Sequence, residues 1–107
     1  MNIVLIGSGN VASVLGRLVV SKNHNVVQVT SRNIEHARIL ADELNAASTD
    51  YNGQLDKSAD LYIIAVSDMA IHDCVQHFNI HDKLVVHTAG SVSKEVLKNT
   101  SYNYGIL

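Results

Sequence analysis

Six consecutive residues, Gly7-Ser8-Gly9-Asn10-Val11-Ala12, have the spacing Gly-x-Gly-x-x-Ala and follow the apolar run Ile3-Val-Leu-Ile6. Each small residue in such a pattern has its own mechanical role. The first glycine permits the tight turn out of a strand, the second lets backbone approach a diphosphate closely, and alanine in third place lets the following helix lie near the strand. The N–H groups that open that helix have no intrahelical acceptor, and the positive end of the helix dipole lies with them, so an anion is favoured there. The implied chemistry is diphosphate binding. The competing reading is a strand, turn and helix that need small residues only for packing.

A second set of residues narrows the ligand. Where the second strand of a dinucleotide-binding fold ends, about 20 residues past the glycines, a carboxylate holds the ribose 2′-hydroxyl of NAD. This chain has Ser31 and Arg32 there. A carboxylate repels a 2′-phosphate, whereas a guanidinium and a hydroxyl hold it. A charge-assisted contact of ~1.5 to 3 kcal/mol corresponds to roughly a 10-fold to 150-fold preference for NADPH over NADH. The expected cofactor is therefore NADP, and the missing acid counts against FAD and S-adenosylmethionine as well. Against this stands Arg32 as an ordinary solvated residue at a helix start.

Other reactive types are weaker signals. His77 and His81 have the i, i+4 spacing that places two metal ligands on one helix face, but the glutamate of a zinc-protease motif is missing and the second histidine falls where the helix should end, so no metal is expected. His87 closes an apolar strand beside a glycine-bearing loop. It reads first as a hydrogen-bonded structural histidine, since no partner carboxylate is identifiable; the imidazole chemistry that would suit a proton donor makes it a secondary catalytic candidate. Ser67, Thr88 and Ser91 have no nucleophile-elbow pattern around them. Cys74 is the single cysteine and falls on an apolar helical stripe, which makes it a core residue.

These residues need strands and helices to carry them. Val11, Ala12, Val14, Leu15, Leu18 and Val19 recur at helical spacing, and the helix should stop near Lys22-Asn23, where asparagine can take the left-handed conformation. Val26 to Val29 reads as a second strand, and Ile34 to Leu44 as a helix capped by Asn33. Ala47-Ser-Thr49 reads as a short third strand, followed by a turn and a brief helix or loop over Tyr51 to Leu55. Leu61 to Val66 is a second wholly apolar strand. A helix through Ile71, Cys74, Val75 and Phe78 follows, then a strand over Lys83 to His87, a short helix capped by Ser93, and an edge strand over Asn103 to Leu107. The expected architecture is α/β and doubly wound: a mainly parallel sheet of about six strands in the order 3-2-1-4-5-6, with helices on both faces.

A chain of 107 residues supports one core, so residues 1–107 form one domain. With 17% charged residues and a formal net charge of −2, it carries no basic field for nucleic acid. No apolar run approaches the roughly 20 residues that cross a bilayer, and residues 1 to 6 show no basic leader, so a cytoplasmic location without a membrane partner is expected.

Taken together, the glycine loop, Thr30-Ser-Arg-Asn33, Ala65-Val-Ser-Asp68 and His87-Thr-Ala-Gly-Ser91 make the chain resemble the N-terminal Rossmann domain of NADP-dependent reductases related to pyrroline-5-carboxylate reductase. The resemblance covers nearly the whole chain and is strongest for an uncharacterised branch of oxidoreductases. It implies that Gly7, Ser8, Gly9, Asn10, Val11 and Ala12 bind the pyrophosphate, Ser31 and Arg32 the 2′-phosphate, and Ala65, Val66 and Ser67 the nicotinamide side. It also implies that His87, Thr88 and Gly90 lie near the position of hydride transfer. Such reductases continue into a helical second domain that completes the substrate pocket and forms a homodimer, whereas this chain stops at Leu107, which suggests a fragment. Two functions remain compatible with these residues: the cofactor domain of an oxidoreductase acting on a small carbonyl or imine, and a non-catalytic module that senses NADP(H).

Overall fold

The computed structural model describes residues 1–107. Asn2–Ile6 forms the first strand, β1, in which four successive side chains are buried. Strand side chains alternate, and here both faces are covered. Ile3 and Leu5 pack with Val29, Ala37, Leu40 and Leu44 on one side. Val4 and Ile6 pack with Tyr62, Ile71, Phe78 and Leu97 on the other. Each such side chain contributes roughly 1.5 to 3 kcal/mol on full burial, so the centre of the sheet anchors the fold.

The remaining elements are α1 (Asn10–Ser21), β2 (Asn25–Ser31), α2 (Ile34–Leu44), β3 (Ala47–Asp50), β4 (Leu61–Ile64), α3 (Ile71–Val75), β5 (Leu84–His87), a 3-10 turn at Lys94–Leu97, and β6 (Asn103–Ile106). The six strands pair in the order β3-β2-β1-β4-β5-β6, all parallel. This is the doubly wound Rossmann arrangement that the sequence predicts. The order reverses between β1 and β4, and a crevice opens at the carboxyl ends of the strands at such a switch point.

Local sequence explains where the helices begin and end. The Asn33 side-chain oxygen accepts from the Glu35 and His36 N–H groups and starts α2. Asn23 and Asn45 follow α1 and α2 in the left-handed region, with φ of 68° and 56°. Gly16 lets α1 lie close to the sheet: a Cβ there would lie 2.6 Å from Leu44 Cδ1 and 3.3 Å from Leu5 Cδ2, so those leucine side-chain ends would have to shift.

Two expectations change. The apolar stripe on α1 is wider than the contact it makes. With small residues Ala12 and Gly16 against the sheet, the helix sits close and covers a narrow strip, leaving Val11, Val14 and Leu18 53%, 60% and 49% exposed. The helix expected through Phe78 ends at Val75, since the His77 and Phe78 N–H groups take the carbonyls of Cys74 and Val75 three residues back. Phe78 stays in the core, but His77 and His81 share no helix face. They stack on different tyrosines, Tyr51 and Tyr102. Tyr51 to Leu55, open between helix and loop in the sequence, forms a turn and loop held by the Asp50 carboxylate accepting from the Asn52 and Gly53 N–H groups. No helix is long and apolar enough to cross a membrane.

Candidate functional site

The crevice at the switch point is a groove of about 690 Å³. Gly7, Ser8, Gly9, Asn10, Val11, Ser31, Arg32, Ala65, Val66, Ser67 and Thr88 all line it. Ala12 does not; it is fully buried beneath the first turn of α1.

The two glycines of the loop face different surroundings. Gly7 has φ of +127°, and a Cβ there would lie 2.2 Å from the Ala65 carbonyl oxygen. Its N–H donates to the Thr30 oxygen at 2.7 Å, while the Ala65 N–H donates to the Ile6 oxygen at 2.7 Å. Gly7 therefore lets the ends of β1, β2 and β4 close on one another. Gly9 has an ordinary φ of −84°, and a Cβ there would meet nothing within 4 Å. It opens space in front of α1. No side chain caps that helix and no acid stands in its first turn, so its leading N–H groups and its dipole are directed at the groove unopposed. The open room and the unopposed donors fit a diphosphate.

At one end of the groove lie Ser31 and Arg32. The nearly buried Ser31 hydroxyl donates to the Asn33 carbonyl at 2.7 Å. Arg32 Nη2 donates to Asp73 Oδ2 at 2.7 Å. Asn33, His36 and Tyr51 also line this end, and sequence reasoning did not place the latter two there. His36 has a retrospective signal, since it stands four residues after Arg32 in the first turn of α2. Tyr51 has none beyond following β3. Burial, then the neighbouring Cys74 thiol, raises the Tyr51 phenol above the ordinary tyrosine range. Burial also pushes the Cys74 thiol up to about 11, so it is protonated near neutrality.

Ala65, Val66, Ser67 and Thr88 form the other end, with the Thr88 N–H donating to the Ile64 oxygen at 3.1 Å. Asp68 lines the groove too and accepts a hydrogen bond from the Ser91 hydroxyl, joining the loops after β4 and β5. Next to this end is an apolar hollow of about 410 Å³ formed by Val11, Val14, Leu15 and Leu107 together with Asn10 and Thr88.

His87 lies outside the groove. Alternation along β5 puts it on the same face as Val85, beneath the turn from Ala89 to Ser93, and it is fully buried. Its Nδ1 accepts from the Ala89 N–H at 3.0 Å, which leaves Nε2 to donate to the Ser93 carbonyl at 3.3 Å. Both nitrogens are engaged by backbone, which agrees with the structural reading of this histidine and removes the secondary proton-donor one.

Comparison with known proteins agrees with this geometry. A family model described as "NADP oxidoreductase coenzyme F420-dependent" matches residues 2–91. A "putative NADP oxidoreductase" from Bacteroides fragilis is 37% identical, with a TM-score of 0.87 over 98% of this chain and 42% of its own. A 1-pyrroline-5-carboxylate reductase from Streptococcus pyogenes shares the fold at 18% identity and a TM-score of 0.76, over 94% of this chain and 38% of its own. Quinate dehydrogenase from Corynebacterium glutamicum, solved in complex with NAD, shares it at 19% identity and a TM-score of 0.67, over 92% and 40%. The chain thus spans less than half the length of each of these structures. No curated protein matches it. The glycine loop on an uncapped helix, the Rossmann strand order and the matching family model together place this chain in the NADP oxidoreductase, coenzyme F420-dependent, family.

Proposed function

We propose that this chain is the NADP(H)-binding domain of an oxidoreductase acting on a small carbonyl or imine. The observation that carries the reading is the uncapped amino end of α1 opening, at Gly9, into the groove that also holds Arg32. The N–H groups of Asn10 and Val11, which open α1 at the groove, bind the pyrophosphate. Arg32, with Ser31 once its hydroxyl rotates off the Asn33 carbonyl, binds the 2′-phosphate and excludes NAD(H) by comparison. Ala65, Val66, Ser67 and Thr88 form the wall that orients the nicotinamide. A bound nicotinamide supplies hydride exchange at its C4 carbon. The apolar hollow beside Thr88 offers apolar surface against which the non-polar part of a substrate would pack.

Calorimetric titration with NADPH, NADP, NADH and FAD tests this on the chain as it stands and on Arg32→Glu. The expected result is tightest binding of NADPH and NADP, with the preference over NADH lost in Arg32→Glu. Absence of binding at millimolar nucleotide would overturn the cofactor assignment. An unchanged preference in Arg32→Glu would remove the 2′-phosphate assignment alone.

A further inference from the structure

Arg32 is already engaged across the groove. It stands on the loop after β2, and its Nη2 donates to Asp73 Oδ2 at 2.7 Å. Asp73 belongs to α3, and Ala70, the residue before that helix and three positions before Asp73, lines the groove from the β4 side. The pair therefore bridges the two walls of the groove at the end where a 2′-phosphate would be read. Tyr51 lines the groove there and lies in the field of both charges. The side chains are 68% and 64% exposed, so the bridge contributes little to the fold itself.

A ligand's 2′-phosphate must share this guanidinium with a carboxylate that is already bound to it. The phosphate carries nearly two negative charges, and a fixed carboxylate beside the same cation repels it. A nucleotide with a free 2′-hydroxyl feels no such repulsion. Resting on the NADP(H) reading above, we propose that Asp73 is a specificity-determining residue: it competes with the 2′-phosphate for Arg32 and so moderates the preference for NADPH over NADH.

The test is calorimetric titration of the unmodified chain, Asp73→Asn and Arg32→Glu with NADPH and NADH at one ionic strength. Asparagine keeps the size and helix position of the side chain and removes its charge. The expected outcome is that Asp73→Asn binds NADPH ~3-fold to 10-fold more tightly, the scale of one exposed charge interaction, while NADH affinity stays the same. An NADPH to NADH ratio that is unchanged or lowered in Asp73→Asn, while the unmodified chain shows an NADPH preference that Arg32→Glu abolishes, overturns the role of Asp73 alone. A chain with no NADPH preference overturns this proposal together with the reading on which it rests.

Discussion

The two long helices of this domain begin in opposite ways. At α2, the Asn33 side chain accepts from two leading N–H groups and Glu35 adds a negative charge to the first turn. At α1, the position before the helix is Gly9, with no capping side chain and no acid in the first turn. Both helices pack on the same face of the sheet, and both bury small or aliphatic residues against it. Packing therefore cannot explain the difference. A helix start with its donors satisfied is finished as structure, whereas one whose donors are left open in front of a groove is prepared for an anion from outside.

The same contrast recurs within the glycine loop. Gly7 is fixed by backbone geometry and by the Ala65 carbonyl, while Gly9 is fixed by nothing in the chain itself. Gly7→Ala is accordingly the most damaging change. A side chain at positive φ pressed on a carbonyl should cost ~4 kcal/mol or more, a large part of the ~5 to 15 kcal/mol that holds a domain together. Thermal denaturation checks this; a melting temperature near that of the unmodified chain would contradict the close approach.

Gly9→Asp should separate folding from binding. An aspartate before α1 caps the helix and complements its dipole, for a gain of ~0.5 kcal/mol, while its carboxylate takes the place of the diphosphate. NADPH affinity is expected to fall by ~100-fold or more, or about 2.7 kcal/mol, without loss of melting temperature. A variant that melts later and still binds would show that the open helix end is not the binding site.

Asn33→Ala probes the finished helix. It should destabilise the chain by ~1 kcal/mol, because two N–H groups lose their acceptor. Denaturant titration measures this, and no change in midpoint would mean that the cap adds nothing.

The remaining effect concerns Cys74 and is confined to alkaline pH. Burial holds its thiol at about 11 against 9.0 when unperturbed, so the folded chain keeps a proton that the unfolded chain releases first. Stability should therefore be unaffected below about pH 9 and decline as pH rises from about 9 to about 11. Replacement of Cys74 by Ala, a smaller core residue, would lower stability at all pH values but should flatten that decline. A decline of the same steepness in both chains would assign it to other groups.

Much of this was legible in the sequence because the central strands are wholly apolar. Ile3 to Ile6 and Leu61 to Ile64 admit little besides buried parallel strands, and Asn33 marks its helix start by residue type alone. The edge of the sheet was harder to read. β3, Ala-Ser-Thr-Asp, has no apolar run and is held by pairing with β2. The loop after it is tied by the buried Gln28 side chain, which donates to the Gln54 carbonyl and accepts from the Asp56 N–H, more than 25 residues away. Such partners lie outside any local pattern. The Arg32–Asp73 bridge is of the same kind, joining residues 41 positions apart. His87 could be placed at a strand end near the crevice, but only the alternation of side chains in the folded sheet decides which face it meets.

The open start of α1 is tested most directly by following backbone amide signals in nuclear magnetic resonance spectra during titration with NADPH. The largest downfield amide-proton shifts are expected at Asn10 and Val11, whose N–H groups gain phosphate acceptors, with much smaller ones at Glu35 and His36, whose N–H groups are already held by Asn33. Shifts at Glu35 and His36 as large as those at the start of α1, or none at the start of α1 when nucleotide is saturating, would contradict it.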